Sequence, residues 1–234
     1  MSFPVQAAVE GIGHGGGGWI PLVHAAEVDR AAPIPVPVTA AGLPWALVRL
    51  DGEIAALYDV CPHRRVPLSA GKVAPGPSGE VLECGYHGWS YDRAGACARI
   101  PALGENLVPR GMGSVAVLRT SVAGGLVWGA AGDESDPLPT IGADDVFLHS
   151  ERLALGVAAL DDTLGASVVD GAIRAGHDDR GALRYAVRAV GDHSTEVFPI
   201  VTAARRTGEA HDWAARLAPL PIHEPSRLPS GDTE

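Results

Sequence analysis

Two short pairs of sulfur and imidazole side chains limit what this chain can fold into more than any other feature. Cys61 and His63 stand in DVCPHRRVPLSAG, Cys84 and His87 in LECGYHGWSYD, spaced C-x-H and C-x2-H with twenty residues between the pairs. Each pair sits where a β-type run gives way to a turn, so two loops can converge on one site between them. A Cys2His2 set suits zinc or a 2Fe–2S cluster. A structural zinc ribbon is one plain reading, and two buried cysteines with two unrelated histidines is another. Zinc sites tend to use C-x2-C or H-x3–5-H pairs from a single element. One cysteine and one histidine on each of two loops instead suits a 2Fe–2S cluster with both thiolates on one iron and both imidazoles on the other. Gly85, Gly88 and Ser90 would let backbone N–H groups approach the sulfides.

Composition narrows the compartment and the partners. The chain has 234 residues, 46% hydrophobic and 20% charged, enough for a real core. Its 18 basic and 28 acidic residues give a net charge of −10, without the basic surplus that phosphate binding relies on, so nucleic acid is not an expected partner. No run approaches the ~20 apolar residues of a membrane helix, and MSFPVQAAVEG lacks the marks of a signal peptide. No membrane association and a cytoplasmic location are therefore expected. In a reducing compartment Cys61, Cys84 and Cys97 read as ligands or buried thiols rather than a disulfide framework. Cys97, in DRAGACARI, is expected to fill a small buried site.

The chain divides by composition. Residues 1–18 read as a flexible glycine-rich tail. Gly11, Gly13 and Gly16 match G-x-G-x-x-G, but GGWIPLV follows, with Pro21 where a dinucleotide site needs a helix. Residues 19–132 show short β-type runs: PVPVTA, WALVRL, EIAALYDV, YHGWSY, SVAVLRT and GLVWGA. They predict a small antiparallel β-sandwich or barrel, with Asp51-Gly52 as a hairpin turn that delivers the chain to Cys61. Residues 133–147 read as a linker. Residues 148–222 read as a short α+β region packed on the first, with an ambiguous apolar stretch, strands at ALRYAVRAV and TEVFPIVTAA, and a helix near 209–217. Residues 223–234 read as a polar tail. The fold class expected is mainly β.

At the two pairs the chain closely resembles the Rieske domain of ring-hydroxylating and related Rieske non-haem iron oxygenases, whose signature reads CPHR…PLS…C-x-YHGW-x-YD. The match takes in Cys61-Pro62-His63-Arg64, Pro67-Leu68-Ser69, Cys84, Tyr86-His87-Gly88-Trp89 and Tyr91-Asp92, and extends into GACARIPA and GLVWG. The resemblance implies one Rieske-type 2Fe–2S cluster on Cys61, His63, Cys84 and His87, with Arg64, Tyr86, Gly88 and Trp89 around the ligands. Rieske proteins of cytochrome bc complexes carry an extra cysteine in each loop; here those positions are Val66 and Tyr86, which favours the oxygenase or soluble ferredoxin type. GKVAPGPSGE reads as a surface insertion between the loops. The oxidised site is neutral and gains one negative charge on reduction, so Arg64 and Arg65 are placed either to favour the reduced form or, the plainer alternative, to hold a carboxylate on the domain surface.

Oxygenases of this type also hold a mononuclear iron through two histidines and a carboxylate, with a local D-x2-H-x4-H on a helix. In VAALDDTLGASVVDG, Asp161 falls on the aspartate, but Leu164 and Val169 fall on the histidine positions. His177, His193, His211 and His223 offer no substitute pair at helical spacing, and His177-Asp178-Asp179 and His211-Asp212-Trp213 are the nearest outsiders. A mononuclear iron is thus not expected. The resemblance implies a Rieske oxidoreductase component passing one electron from a flavin reductase or ferredoxin to a separate acceptor, with an oxygenase partner or a homo-oligomer as the expected assembly. A true oxygenase with an atypical iron site, and a non-catalytic redox-sensing or assembly subunit, are the alternatives.

Overall fold

The computed structural model describes residues 18–104, 108, 113–130 and 137–222. The Gly11, Gly13 and Gly16 motif, His223 and the polar tail lie outside the described residues. The chain runs through β1 (Trp19–His24), α1 (Ala25–Ala31), β2 (Val36–Ala40), β3 (Leu43–Leu50) and β4 (Glu53–Tyr58). It continues through β5 (Lys72–Gly76), β6 (Gly79–Glu83), β7 (Ser90–Tyr91), β8 (Cys97–Arg99), β9 (Val117–Ala123) and β10 (Leu126–Ala130). The remainder is β11 (Asp145–Phe147), β12 (Glu151–Leu153), α2 (Val157–Leu164), β13 (Ala166–Asp170), β14 (Ile173–Asp178), β15 (Gly181–Gly191), β16 (Ser194–Thr202) and α3 (Arg206–Leu217).

These strands make three antiparallel sheets, so the fold is mainly β, as expected from the sequence. A six-stranded, nearly closed barrel-like sheet has the order β1-β10-β9-β4-β3-β2. A four-stranded sheet, β5-β6-β7-β8, lies on one side of it, and β11-β16-β15-β14-β13 on the other.

Period-two alternation explains the layering. On β3 and β4, Trp45, Leu47, Ile54 and Ala56 point into the barrel, while Ala46, Val48, Leu50, Ala55 and Leu57 point out and pack on Leu68, Leu82, Cys61, Cys84 and Tyr91. β10 does the same: Val127 faces the barrel, and Leu126, Trp128 and Ala130 meet Ile173, Ala186, Phe198 and Ile200 of the C-terminal sheet. That sheet buries its other face under Leu160, Leu164, Trp213 and Leu217 of α2 and α3. Strands with apolar residues on both faces thus become the walls between layers.

Several local expectations change. YHGWSY is not a strand: only Ser90 and Tyr91 pair, because Gly88 takes φ +69 and turns the chain before them. GKVAPGPSGE, between the two cluster loops, builds the β5–β6 hairpin, with Lys72 opposite Glu83. SVAVLRT starts pairing at Val117. Asp145–Phe147, read as linker, forms β11 against β16 and buries Phe147. The ambiguous stretch resolves into α2 and β13, divided at Gly165 in the left-handed conformation.

Candidate metal centre

The two loops are built by short-range hydrogen bonds. In the first, Cys61 N–H donates to Val66 O (2.9 Å) and Arg65 N–H to Cys61 O (2.7 Å). The buried Asp59 carboxylate fixes the far end by accepting from Ser69 N–H and Ser69 Oγ, both at 2.6 Å. In the second, Cys84 N–H donates to Trp89 O (2.8 Å) and Gly88 N–H to Cys84 O (3.1 Å). The loops abut at Gly85, where a Cβ would lie 2.5 Å from Ala70 O, so any larger residue would push them apart.

This frame sorts the four candidate ligands by depth. Cys61 and Cys84 are buried in the outer core, whereas His63 and His87 reach the surface. The two Nδ1 atoms stand 3.2 Å apart, close to the ~3.0–3.4 Å that two nitrogens each about 2.1 Å from one metal keep at ordinary angles. Trp89 stacks on the His63 ring at 4.7 Å with 7° between planes, and Tyr86 packs on His87 with centroids 3.8 Å apart. Among the described residues no three His, Cys, Asp or Glu side chains gather within reach of one metal ion. The candidates stand as a buried sulfur pair and an outer nitrogen pair.

Electrostatics divide along the same line. Burial pushes the Cys84 thiol up, opposed by the backbone N–H groups of Tyr86 and His87, which hydrogen-bond its sulfur. The Gly88 N–H itself is taken by Cys84 O. The Tyr91 hydroxyl lies 3.3 Å from Cys61 Sγ. Desolvation, then the neighbouring His87 and the Arg64 charge, hold His63 below its ordinary value, which keeps the imidazole neutral as metal ligation requires. The donor set therefore fits a two-iron cluster: soft sulfur inside with N–H donors aimed at it, and two imidazoles sharing one point outside.

The other candidates fall elsewhere. Cys97 is half-buried beside the sulfur pair, with Sγ 3.7 Å from Arg99 O. Asp161 on α2 accepts from Arg174 Nε (2.9 Å) and Tyr185 OH (2.7 Å). Leu164 is buried against the C-terminal core, and Val169 stands exposed on β13 rather than on a helix. Asp178, from one of the two His-Asp motifs, is bridged to α3 by Arg216 Nε and Nη2 at 2.7 and 2.8 Å, while His177, His193 and His211 are exposed. Asp59 and Tyr91 had no role assigned from sequence. Asp59 is legible only as the acid two residues before Cys61, and Tyr91 only as part of the signature.

The Rieske [2Fe-2S] domain family matches residues 18–119. Methylxanthine N3-demethylase NdmB of Pseudomonas putida is 44% identical over 87 residues, 36% of this chain and 24% of the relative. Pheophorbide a oxygenase of Oryza sativa is 40% identical over 83 residues, 36% of this chain and 15% of that protein. The aligned segment thus spans a quarter or less of these relatives' length. Among solved structures, Pseudomonas putida CBB5 NdmB superposes with TM-score 0.66 at 18% identity, over 91% of this chain and 85% of that one. Apo dicamba monooxygenase gives 0.66 at 21% identity, over 86% and 82%. The fold likeness therefore runs through the C-terminal sheet, while the sequence match, with the paired candidate side chains on two abutting loops, identifies residues 18–119 as a Rieske [2Fe–2S] domain.

Proposed function

We propose that Cys61 and Cys84 hold one iron and His63 and His87 the other iron of a single 2Fe–2S cluster, and that the chain works as a one-electron component of a Rieske oxidoreductase. Such a cluster supplies reversible one-electron chemistry when bound. The sorting of the four side chains carries the reading, with sulfurs buried and imidazoles outward at an Nδ1 separation of 3.2 Å. The N–H groups of Tyr86 and His87 and the hydroxyl of Tyr91 stabilise negative charge on the sulfurs, Trp89 fixes the plane of His63, and the Asp59–Ser69 clasp holds the first loop closed. An electron enters and leaves through the imidazole side, where the site meets solvent.

In this reading the C-terminal region holds no mononuclear iron. The Asp161 carboxylate is occupied by Arg174 and Tyr185, and Leu164 and Val169 bring no nitrogen. The electron then passes to an acceptor outside the chain. The fold likeness to NdmB and dicamba monooxygenase across the C-terminal sheet favours a second reading, an oxygenase with an atypical iron site. Iron and acid-labile sulfide per chain, with EPR of the dithionite-reduced protein, separate them. About two irons, two sulfides and a Rieske-type signal are expected; a third, mononuclear iron would establish the oxygenase reading, and zinc without sulfide would overturn the cluster.

A further inference from the structure

We propose that the buried carboxylate of Asp59 sets the reduction potential of the site, acting as a fixed negative charge that holds it down. The inference rests on the cluster proposed above and adds a residue that governs its redox poise. Asp59 is 6% exposed and stands two residues before Cys61, at most about 7 Å away from Cα to Cα along an extended chain. Its oxygens accept from the N–H and the hydroxyl of Ser69, both at 2.6 Å, and meet no cation at ion-pair distance among the described residues. Neutral donors hold a charge in place without cancelling it. Leu68, the neighbour of Ser69, is buried with Cys61 and Cys84 in one apolar cluster, so side chains rather than water fill the layer around the sulfurs.

The second loop makes the contrast. Glu83 stands one residue before Cys84, yet its carboxylate pairs with Arg99 at 2.5 Å, and Lys72 lies opposite it on β5. That acid is neutralised, and Asp59 is not. A buried charge costs free energy that a neutral acceptor would not. An asparagine could accept from the Ser69 N–H and donate to its hydroxyl at the same place. Fastening the loop therefore explains the two hydrogen bonds but not the charge. Reduction adds one electron and one unit of negative charge to the site, with no bond or proton changed at Asp59. A carboxylate close by, in an interior of low effective dielectric, disfavours that added charge. The reduced site is thereby a stronger donor to its acceptor.

Protein-film voltammetry of the iron-loaded protein and its Asp59→Asn variant is the test. The midpoint potential is expected to rise, with the reduced-to-oxidised ratio at a fixed potential increasing about tenfold, which is about 60 mV for one electron. The rise persists from about 20 to about 300 mM ionic strength, because salt screens a buried charge far less than an exposed one. Ser69→Ala keeps the charge and removes one donor that disperses it, so its potential is expected to fall. Opposite signs at the two ends of one hydrogen bond cannot come from a loosened loop. Voltammetry reads only molecules that hold the centre, so partial iron loading of either variant does not hide the sign. An unchanged or lowered potential in Asp59→Asn, a shift that disappears in salt, a rise of equal size in Ser69→Ala, or complete loss of iron from Asp59→Asn would overturn the proposal and leave Asp59 as a fastener of the loop. Failure of the cluster reading shows earlier and separately, as native protein without acid-labile sulfide.

Discussion

The Tyr91 ring is wholly buried, and its hydroxyl reaches Cys61 Sγ at 3.3 Å. Burial and the neighbouring Cys61 push the phenol above its ordinary value, so its proton stays on the oxygen and the hydroxyl donates. Reduction under the proposed ligation adds negative charge near that sulfur, and the hydrogen bond then strengthens. Tyr91→Phe is expected to lower the midpoint potential by on the order of 60 mV, a tenfold shift in a one-electron equilibrium. Protein-film voltammetry checks it, and an unchanged potential would separate Tyr91 from the centre. Arg64→Ala has the same sign and a smaller size, because solvent screens an exposed charge. At this scale the sequence was most readable. Ligand types and their C-x-H and C-x2-H spacing are local facts, whereas the clasp of Asp59 on Ser69 and the N–H groups turned toward Cys84 depend on loop closure.

Among the elements, α2 decides what the C-terminal region can bind. It ends at Leu164, Gly165 turns the chain at φ +60, and residues 166–170 are already strand. Positions 164 and 169 therefore point one into the core and one to solvent, and the D-x2-H-x4-H spacing no longer describes one helical face. Introducing Leu164→His together with Val169→His is expected to add no iron by plasma emission analysis. The buried substitution alone costs roughly 2–4 kcal/mol, from a polar group placed without a partner in the core, and is seen as a lower Tm. Bound iron rising toward three per chain would reverse the argument. Alternating strands such as WALVRL were legible because their period is two. The β5–β6 hairpin was not, since Pro75, Pro77 and the glycines hide the alternation, and α2 was lost in an apolar run that fits either element.

Across the whole molecule the C-terminal sheet is laced by arginines to carboxylates and carbonyls. Arg216 holds the Asp178 carboxyl down at about 2, against an ordinary value near 3.8. A depressed folded-state pKa gives stability that is present above the unfolded value and lost as pH falls from about 4 through about 2. Asp178 lies near the surface, so the contribution is under about 1 kcal/mol. The Tm gap between the native protein and Arg216→Met is expected to narrow from pH 7 to pH 2, as thermal melts followed by circular dichroism would show. Burial most of all lowers the Arg188 guanidinium to about 10, so it is charged at neutral pH. It donates to the carbonyls of Pro21 and Leu22 at the bulge in β1 and pairs with Glu196 at 3.4 Å. The contacts of Arg188 with Pro21 and Leu22 were not readable from spacing, because the partners are more than 160 residues apart.

That long reach of Arg188, with Trp19 and Trp128 sealed against Phe198 and Ile200, makes the first and last thirds of the chain share one interior. A fragment cut after Ala130 would carry an uncovered apolar wall and a first strand whose bulge carbonyls face water. The Rieske domain is therefore no detachable small unit. Its stability is a property of a wall whose other side belongs to the C-terminal sheet.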